Sequence, residues 1–382
     1  MFNRLYFILL VLFLHLYAYF AWLGQGTLSS GALIASLCIT FFTISKKEKC
    51  NIVFLSIYIV SLVLLLSLSF NTNGGWYSFI QLLASSLIFF SAYSCTNQSS
   101  DNLKVVFFFC FSNVVFLFFL WAVQGFVPFK PWLLVNLNPN VLGFFIFLNL
   151  YFVVVFFVMT DSLYAKFFSL LIIGLSLVLI IVSGARTSLL ALFLSFLLFL
   201  FLRKMTIKHN TYLWSLLGAF VFMPLISYFY VYISTASFSQ ELNQLVWEET
   251  GKSLFTGRND IWLVIFNYIY DNYLFGAGFG ADLASLNITI SSHNLYLMLI
   301  YQLGIVGYIV FIVYFFSMTK VFLGNRYLND SKMATISISW VFSILVHQGF
   351  EIFLFQNNLA ASFLFWFIFC IPFSERKILD RV

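Results

Sequence analysis

Five short polar clusters punctuate this chain, and each holds residue types suited to binding an oxyanion or moving a proton. They are Asn138-Pro139-Asn140, Ser183-Gly184-Ala185-Arg186-Thr187-Ser188, Gly257-Arg258-Asn259-Asp260, Ser291-Ser292-His293-Asn294 and His347-Gln348-Gly349-Phe350-Glu351. A guanidinium fork grips two phosphate oxygens at once, which makes Arg186 and Arg258 candidate phosphate binders. An imidazole titrates near neutrality and can take a proton from a hydroxyl, so His293 is the candidate base. Its place behind a Ser-Ser cap at a helix start favours the neutral ring. Asn140, Thr187, Asn294, His347 and Glu351 complete the set as candidate substrate contacts. Glu351 is also a second candidate base, and a role shared with His293 stays open.

The elements that must position these residues are apolar helices. The 382 residues are 62% hydrophobic and only 8% charged, against about 25% charged in soluble domains. Apolar runs of roughly 20 residues recur along the chain, each long enough to cross a bilayer as a helix. The fold class is therefore all-α, with residues 1–382 forming one integral-membrane domain of about twelve spans. The expected spans are 5–23, 29–45, 51–70, 76–93, 105–124, 141–159, 166–183, 187–202, 212–234, 294–317, 333–347 and 352–372. The first run is longer than a removable signal-peptide core and reads as a retained helix. Five cysteines without C-x-x-C spacing indicate no disulfide framework.

Charge distribution orients these spans. With the N-terminus in the cytoplasm, only Lys130, Arg186, Lys252 and Arg258 of the 19 Lys and Arg residues fall on the outer side. That asymmetry follows the positive-inside rule and places both termini in the cytoplasm. The net charge of +6 is thus a matter of topology, and no nucleic acid partner is implied. One long outer loop, residues 233–292, lies in the C-terminal third. Within it Asn259 to Tyr270 is apolar and aromatic, the pattern of a helix in the membrane interface or packed against the spans. Even-numbered spans start at the outer face, where their unpaired N–H groups and positive dipole ends point. Four of the polar clusters sit at such starts, and if they converge they build an anion pocket. The glycine-rich run 276–281 lacks the spacing of a dinucleotide fingerprint and reads as a flexible bend. Four scattered histidines argue against a metal site, and no cofactor is implied. A plain structural pairing is the alternative for two of the clusters: Arg258 with Asp260 or Glu351, and His347 with Glu351 across one turn.

In these motifs the chain resembles the O-antigen ligase/polymerase superfamily of bacterial membrane glycosyltransferases. The resemblance lies in G-R-x-x-x-W at Gly257, Arg258 and Trp262, in H-N-x-Y-L from His293, in G-x-x-G at Gly304 and Gly307, and in H-x-x-x-E at His347 and Glu351. It implies a multi-span enzyme of the bacterial inner membrane with its active site on the periplasmic face. It also implies a metal-independent, inverting transfer of a saccharide from an undecaprenyl-diphosphate-linked oligosaccharide to an acceptor hydroxyl. Arg186, Arg258 and His293 match the family's functional positions. Implied partners are the lipid-linked donor, a glycan or lipid A-core acceptor, membrane lipids and a chain-length regulator protein. The compact chain and the H-x-x-x-E ending favour an O-antigen or surface-polysaccharide polymerase. A ligase that moves finished glycan to lipid A-core is the first alternative, and a polysaccharide transporter or flippase comes from a different class. A non-catalytic assembly protein is a further one. A transporter usually carries ionisable or broken-helix features near the midplane, whereas the polar residues here gather at one face.

Overall fold

The computed structural model describes residues 2–22, 31–32, 34–36, 38–39, 51–69, 75–96, 100–127, 138–205, 209–250, 257–323, 332–354 and 359–373. The described residues are largely helical, with no strand among them. The helices are α1 (Phe2–Trp22), α2 (Ile52–Ser69), α3 (Gly75–Thr96), α4 (Ser100–Val123), α5 (Pro139–Met159), α6 (Leu163–Ser183), α7 (Arg186–Leu202), α8 (His209–Ser234), α9 (Ser237–Thr250), α10 (Arg258–Asp271), α11 (Leu295–Leu323), α12 (Lys332–Gln348) and α13 (Leu359–Cys370). Among the described residues seven are long and apolar enough to cross a membrane, namely α2, α3, α4, α5, α6, α8 and α11. The chain is a multi-pass helical membrane protein. The expected span 29–45 lies largely outside the described residues, as do Lys130 and Lys252.

Helix α5 is the axis of the bundle. Phe144, Phe145, Ile146, Phe147 and Leu148 are all buried, so the helix is covered on every side. Helices α4, α6, α7, α12 and α13 pack around it. Its one mid-helix polar residue, Asn149, accepts from Asn113 Nδ2 of α4 at 3.0 Å and donates to the Phe145 carbonyl at 2.7 Å. Both functions are satisfied, as an apolar interior demands. Helices α6 and α7 bury narrow stripes instead, Ser169, Ser176 and Ser183 on one and Ser188, Ala191 and Ser195 on the other. Small residues let helix backbones approach closely in lipid, while Phe193, Phe196 and Phe201 stay exposed on the outside. The closest approach is at Gly143 of α5, where a Cβ would lie 2.3 Å from Ala185 Cβ and 3.0 Å from Ser183 Oγ. Gly143 thereby brings the start of α5 against the turn that opens α7.

Helix α11 is broken at Gly304, whose φ of 60° and ψ of −175° belong to a region open essentially to glycine alone. The break frees two carbonyls and two amides inside the apolar layer. The glycine-rich run after α10 satisfies all four. Ala277 and Gly278 amides donate to the Tyr301 and Gln302 carbonyls at 2.8 Å, and Ile305 and Val306 amides donate to Tyr273 and Leu274 at 2.8 and 3.2 Å. Side chains add to the seam: Tyr301 donates to the Asp282 carbonyl and Gln302 to the Ala281 carbonyl, both at 2.8 Å. The sequence reading of a flexible bend is corrected here, because this run is pinned backbone to backbone. Two glycines make the fit possible: a Cβ on Gly276 would lie 2.4 Å from the Tyr301 carbonyl, and one on Gly304 2.3 Å from that of Leu274.

The end of the chain also departs from expectation. The helix expected at 352–372 is α13 (Leu359–Cys370) with a 3-10 turn at Ile371–Phe373, and residues 351–353 are not helical. Gln348 Oε1 accepts the amides of Phe353 and Leu354 at 2.9 and 3.2 Å. A side-chain acceptor thus takes the donors that a helical turn would use. His347 and Gln348 consequently close α12 and do not open the last helix.

Gly304→Ala should lower stability by roughly 3 kcal/mol or more, since it combines backbone strain with overpacking against a peptide. Gly174, where an added methyl would meet nothing within 4 Å, supplies the control. Thermal unfolding in detergent should show a clear loss for Gly304→Ala and none for Gly174→Ala. Equal transitions would contradict the docked break.

Candidate functional site

The buried carboxylate of Glu351 is the hub of the site. It is 3% exposed and lies in the non-helical connection after α12. Its Oε1 accepts from Asn140 Nδ2 at 2.6 Å and from Arg258 at 2.7 Å, and its Oε2 meets His293 Nδ1 at 2.9 Å. Four segments distant in sequence are tied by one charge: the start of α5, the start of α10, the turn before α11 and the exit of α12. An ionised carboxylate only accepts, so His293 Nδ1 is the donor of this bond, and in the neutral ring Nε2 is then the acceptor.

Each partner is placed by local backbone chemistry. Asn138 caps α5 by accepting the Asn140 amide at 2.9 Å, with Pro139 at the first helical position. Gly184, left-handed at φ 69°, ends α6 and turns the chain directly into α7. Gly257, also left-handed, precedes Arg258. His293 is itself left-handed at φ 51°, uncommon for a residue with a side chain. Neither Ala185 nor Gly257 supplies a side-chain cap, so the first-turn N–H groups of α7 and α10 are free of one.

These starts surround a cavity of about 430 Å³ lined by Asn138, Asn140, Gly184, Arg186, Thr187, Gly257, Arg258, Ile261, Ile290 and His293. Two uncapped helix N-termini and two arginines face one space, which is the arrangement that binds phosphate. Thr187 lines the cavity, and its Oγ1 is buried with no partner among the described residues.

Of the residues singled out in the sequence, Arg186, Thr187, Asn140, Arg258 and His293 line this cavity, and Glu351 braces three of them from behind. Arg258 pairs with Glu351, whereas Asp260 accepts from Asn259 at 2.9 Å. Asn294 is withdrawn: its Oδ1 caps the Leu297 amide at 3.0 Å and its Nδ2 donates to Ser227 Oγ at 2.7 Å. His347 is buried behind the cavity, stacked on Phe144 at 4.3 Å and tilted against Phe353 at 5.8 Å, with Ser188 Oγ 3.4 Å from Nε2. The expected side-chain pair of His347 with Glu351 is replaced by a backbone bond, the Glu351 amide to the His347 carbonyl at 3.1 Å. Sequence reasoning passed over the structural part of Trp262, although its place one turn after Arg258 was visible. The helix around it packs on α8 and α11 with Trp262 and Ile265 buried.

The fold and this cavity define a multi-pass membrane protein in which several helix starts and two arginines line one space. Residues 171–312 match the O-antigen ligase family, and over that stretch the chain is similar to its members. The matched segment contains Arg186, Thr187, Arg258, His293 and Asn294, while Asn140, His347 and Glu351 lie outside it. Comparison of the whole chain with curated proteins yields no match.

Removing the charge of Glu351 should leave the half-buried Arg258 guanidinium without its counter-charge. Breaking one side of a fully buried pair typically costs about 3–5 kcal/mol, and the partial exposure of Arg258 brings the loss below that range. Glu351→Gln should therefore unfold at distinctly lower temperature in detergent, with Asp260→Asn as an unaffected exposed control. A Glu351→Gln transition matching the parent would show that the carboxylate is not the tie.

Proposed function

We propose that this chain is a membrane glycosyltransferase acting at the outer face of the bacterial inner membrane. Its donor is a saccharide linked to undecaprenyl diphosphate and its acceptor a hydroxyl of a glycan. The single observation that carries the reading is the cavity where Arg186, Arg258 and two uncapped helix starts surround His293. The acceptor oxygen attacks the anomeric carbon, His293 Nε2 takes the hydroxyl proton, and the bond to the diphosphate oxygen breaks with its electron pair. Negative charge grows on that leaving oxygen. Arginine forks and helix N-termini aimed at it stabilise the charge most where water is partly excluded. The charge is met without a metal, and attack from the face opposite the leaving group inverts the anomeric centre. Glu351, with three donors already on its oxygens, orients the imidazole and stabilises its protonated form, which leaves the base role to His293.

The match of residues 171–312 to the O-antigen ligase family supports transfer from lipid-linked glycans but not the choice of acceptor. We assign the chain as a surface-polysaccharide repeat-unit polymerase, on its compact form and the H-x-x-x-E ending, with 233–292 as a periplasmic loop and a chain-length regulator as partner. The second reading, equally compatible with the matched family, is a ligase onto lipid A-core. Deleting the gene separates them. A polymerase loss leaves one repeat on lipid A-core; long free chains on the lipid carrier would instead establish the ligase.

The base is tested with purified variants and the lipid-linked oligosaccharide that accumulates in the deletion strain. General-base catalysis contributes about 10²- to 10⁴-fold, so His293→Ala should cut kcat on that scale while donor binding persists. His293→Gln should be nearly as poor, because an amide cannot take the proton. Near-normal turnover by the Gln variant would move the base to Glu351.

A further inference from the structure

We infer that Trp262 is the positioning residue for His293, an assignment that rests on the reading of His293 as the base. Trp262 is 1% exposed, and its indole Nε1 donates to the carbonyl of Ser292 at 2.7 Å. That carbonyl belongs to the peptide joining Ser292 to His293. The other end of the same peptide, the His293 amide, donates to Ser291 Oγ at 3.2 Å. Both ends of one peptide plane are therefore tied, and the torsion that follows it is the left-handed φ of His293. An L residue holds such a conformation only when its surroundings impose it.

The tie also fixes a distance. Trp262 sits one turn after Arg258 on α10, so the two share a face of that helix. Arg258 meets Glu351 Oε1 from α10, and His293 meets Glu351 Oε2 from the turn before α11. The indole bond is a direct polar link between these two limbs of the site, separate from the carboxylate. It is backed by an apolar cluster of Trp262, Ile265, Leu283, Leu297 and Tyr301, with the Tyr230 ring 5.2 Å from the indole. The pinned run at 273–278 completes the support by docking α10's exit onto the break in α11. Trp262 thus acts through His293, with no contact to the reacting atoms required of it.

The bond is removed with the ring packing kept by replacing Trp262 with benzothienylalanine, an isosteric ring that lacks the N–H, and in parallel with Trp262→Phe. Donor is again the lipid-linked oligosaccharide from the deletion strain. Misplacing a catalytic group by about 1 Å can cost on the order of 10²-fold in rate. Loss of the tie should therefore lower kcat about 10- to 100-fold, with KM for the donor within about twofold and the unfolding temperature of the benzothienyl protein near the parent's. A kcat within twofold of the parent in that protein, while His293→Ala is inactive, overturns the positioning role. A loss of activity that only follows the loss of folded enzyme overturns it as well. Full turnover by His293→Ala would instead remove the base reading, and the inference with it.

Discussion

A carboxylate with 3% of its surface exposed, at the edge of an apolar bundle, must be met by donors or it opposes folding. Glu351 meets this constraint with Asn140, Arg258 and His293, drawn from three other segments. The cavity follows from that arrangement. Because the three donors have to reach one carboxylate, the starts of α5 and α10 and the turn before α11 are drawn to one place. The start of α7 joins them through the contact of Gly143 with Ala185. The positive ends of these helices then gather around a shared space, the setting that favours negative charge.

A second constraint comes from the surrounding apolar layer, where unpaired backbone groups are costly. It explains why the break at Gly304 is accompanied by a docked segment. Four backbone groups that a straight helix would satisfy internally are satisfied by the run after α10. The result is a rigid connection between the element bearing Arg258 and the element following His293. Gln348 solves the same problem elsewhere, accepting two amides where the chain leaves α12 without a helix. In both places irregular backbone lies near the functional groups and is held by specific polar partners.

Neutral packing carries the rest. Buried serines on α6 return their hydroxyls to the preceding turn, as Ser176 does to Ile172 and Ser183 to Ile180, and Ser195 of α7 does the same to Leu192. Their small side chains then permit close helix contact without an unsatisfied group. The aromatic rings are divided between an interior stacked around α5 and an outer surface that faces lipid. His347 belongs to the interior set, in a three-ring cluster with Phe144 and Phe353, and meets Ser188 Oγ through Nε2.

Composition and hydrophobic run length alone determined an all-helical, multi-pass protein, because a bilayer admits few other solutions for such a sequence. The same reading marked Arg186, Arg258, His293, Asn140 and Thr187, since polar residues at helix starts stand out against an apolar background. Where those residues meet was decided by the tertiary structure. Sequence spacing suggested a His347–Glu351 pair because four residues make one helical turn. The chain leaves the helix after Gln348, and the carboxylate turns to partners up to 211 positions away. The glycine run at 276–281 looked flexible because glycine relaxes local restraints. Its rigidity comes from Tyr301, Gln302, Ile305 and Val306, which no local pattern names. Periodicity reports what a segment prefers by itself; the pairing of a buried charge or an orphaned carbonyl depends on what the folded chain brings within hydrogen-bond reach.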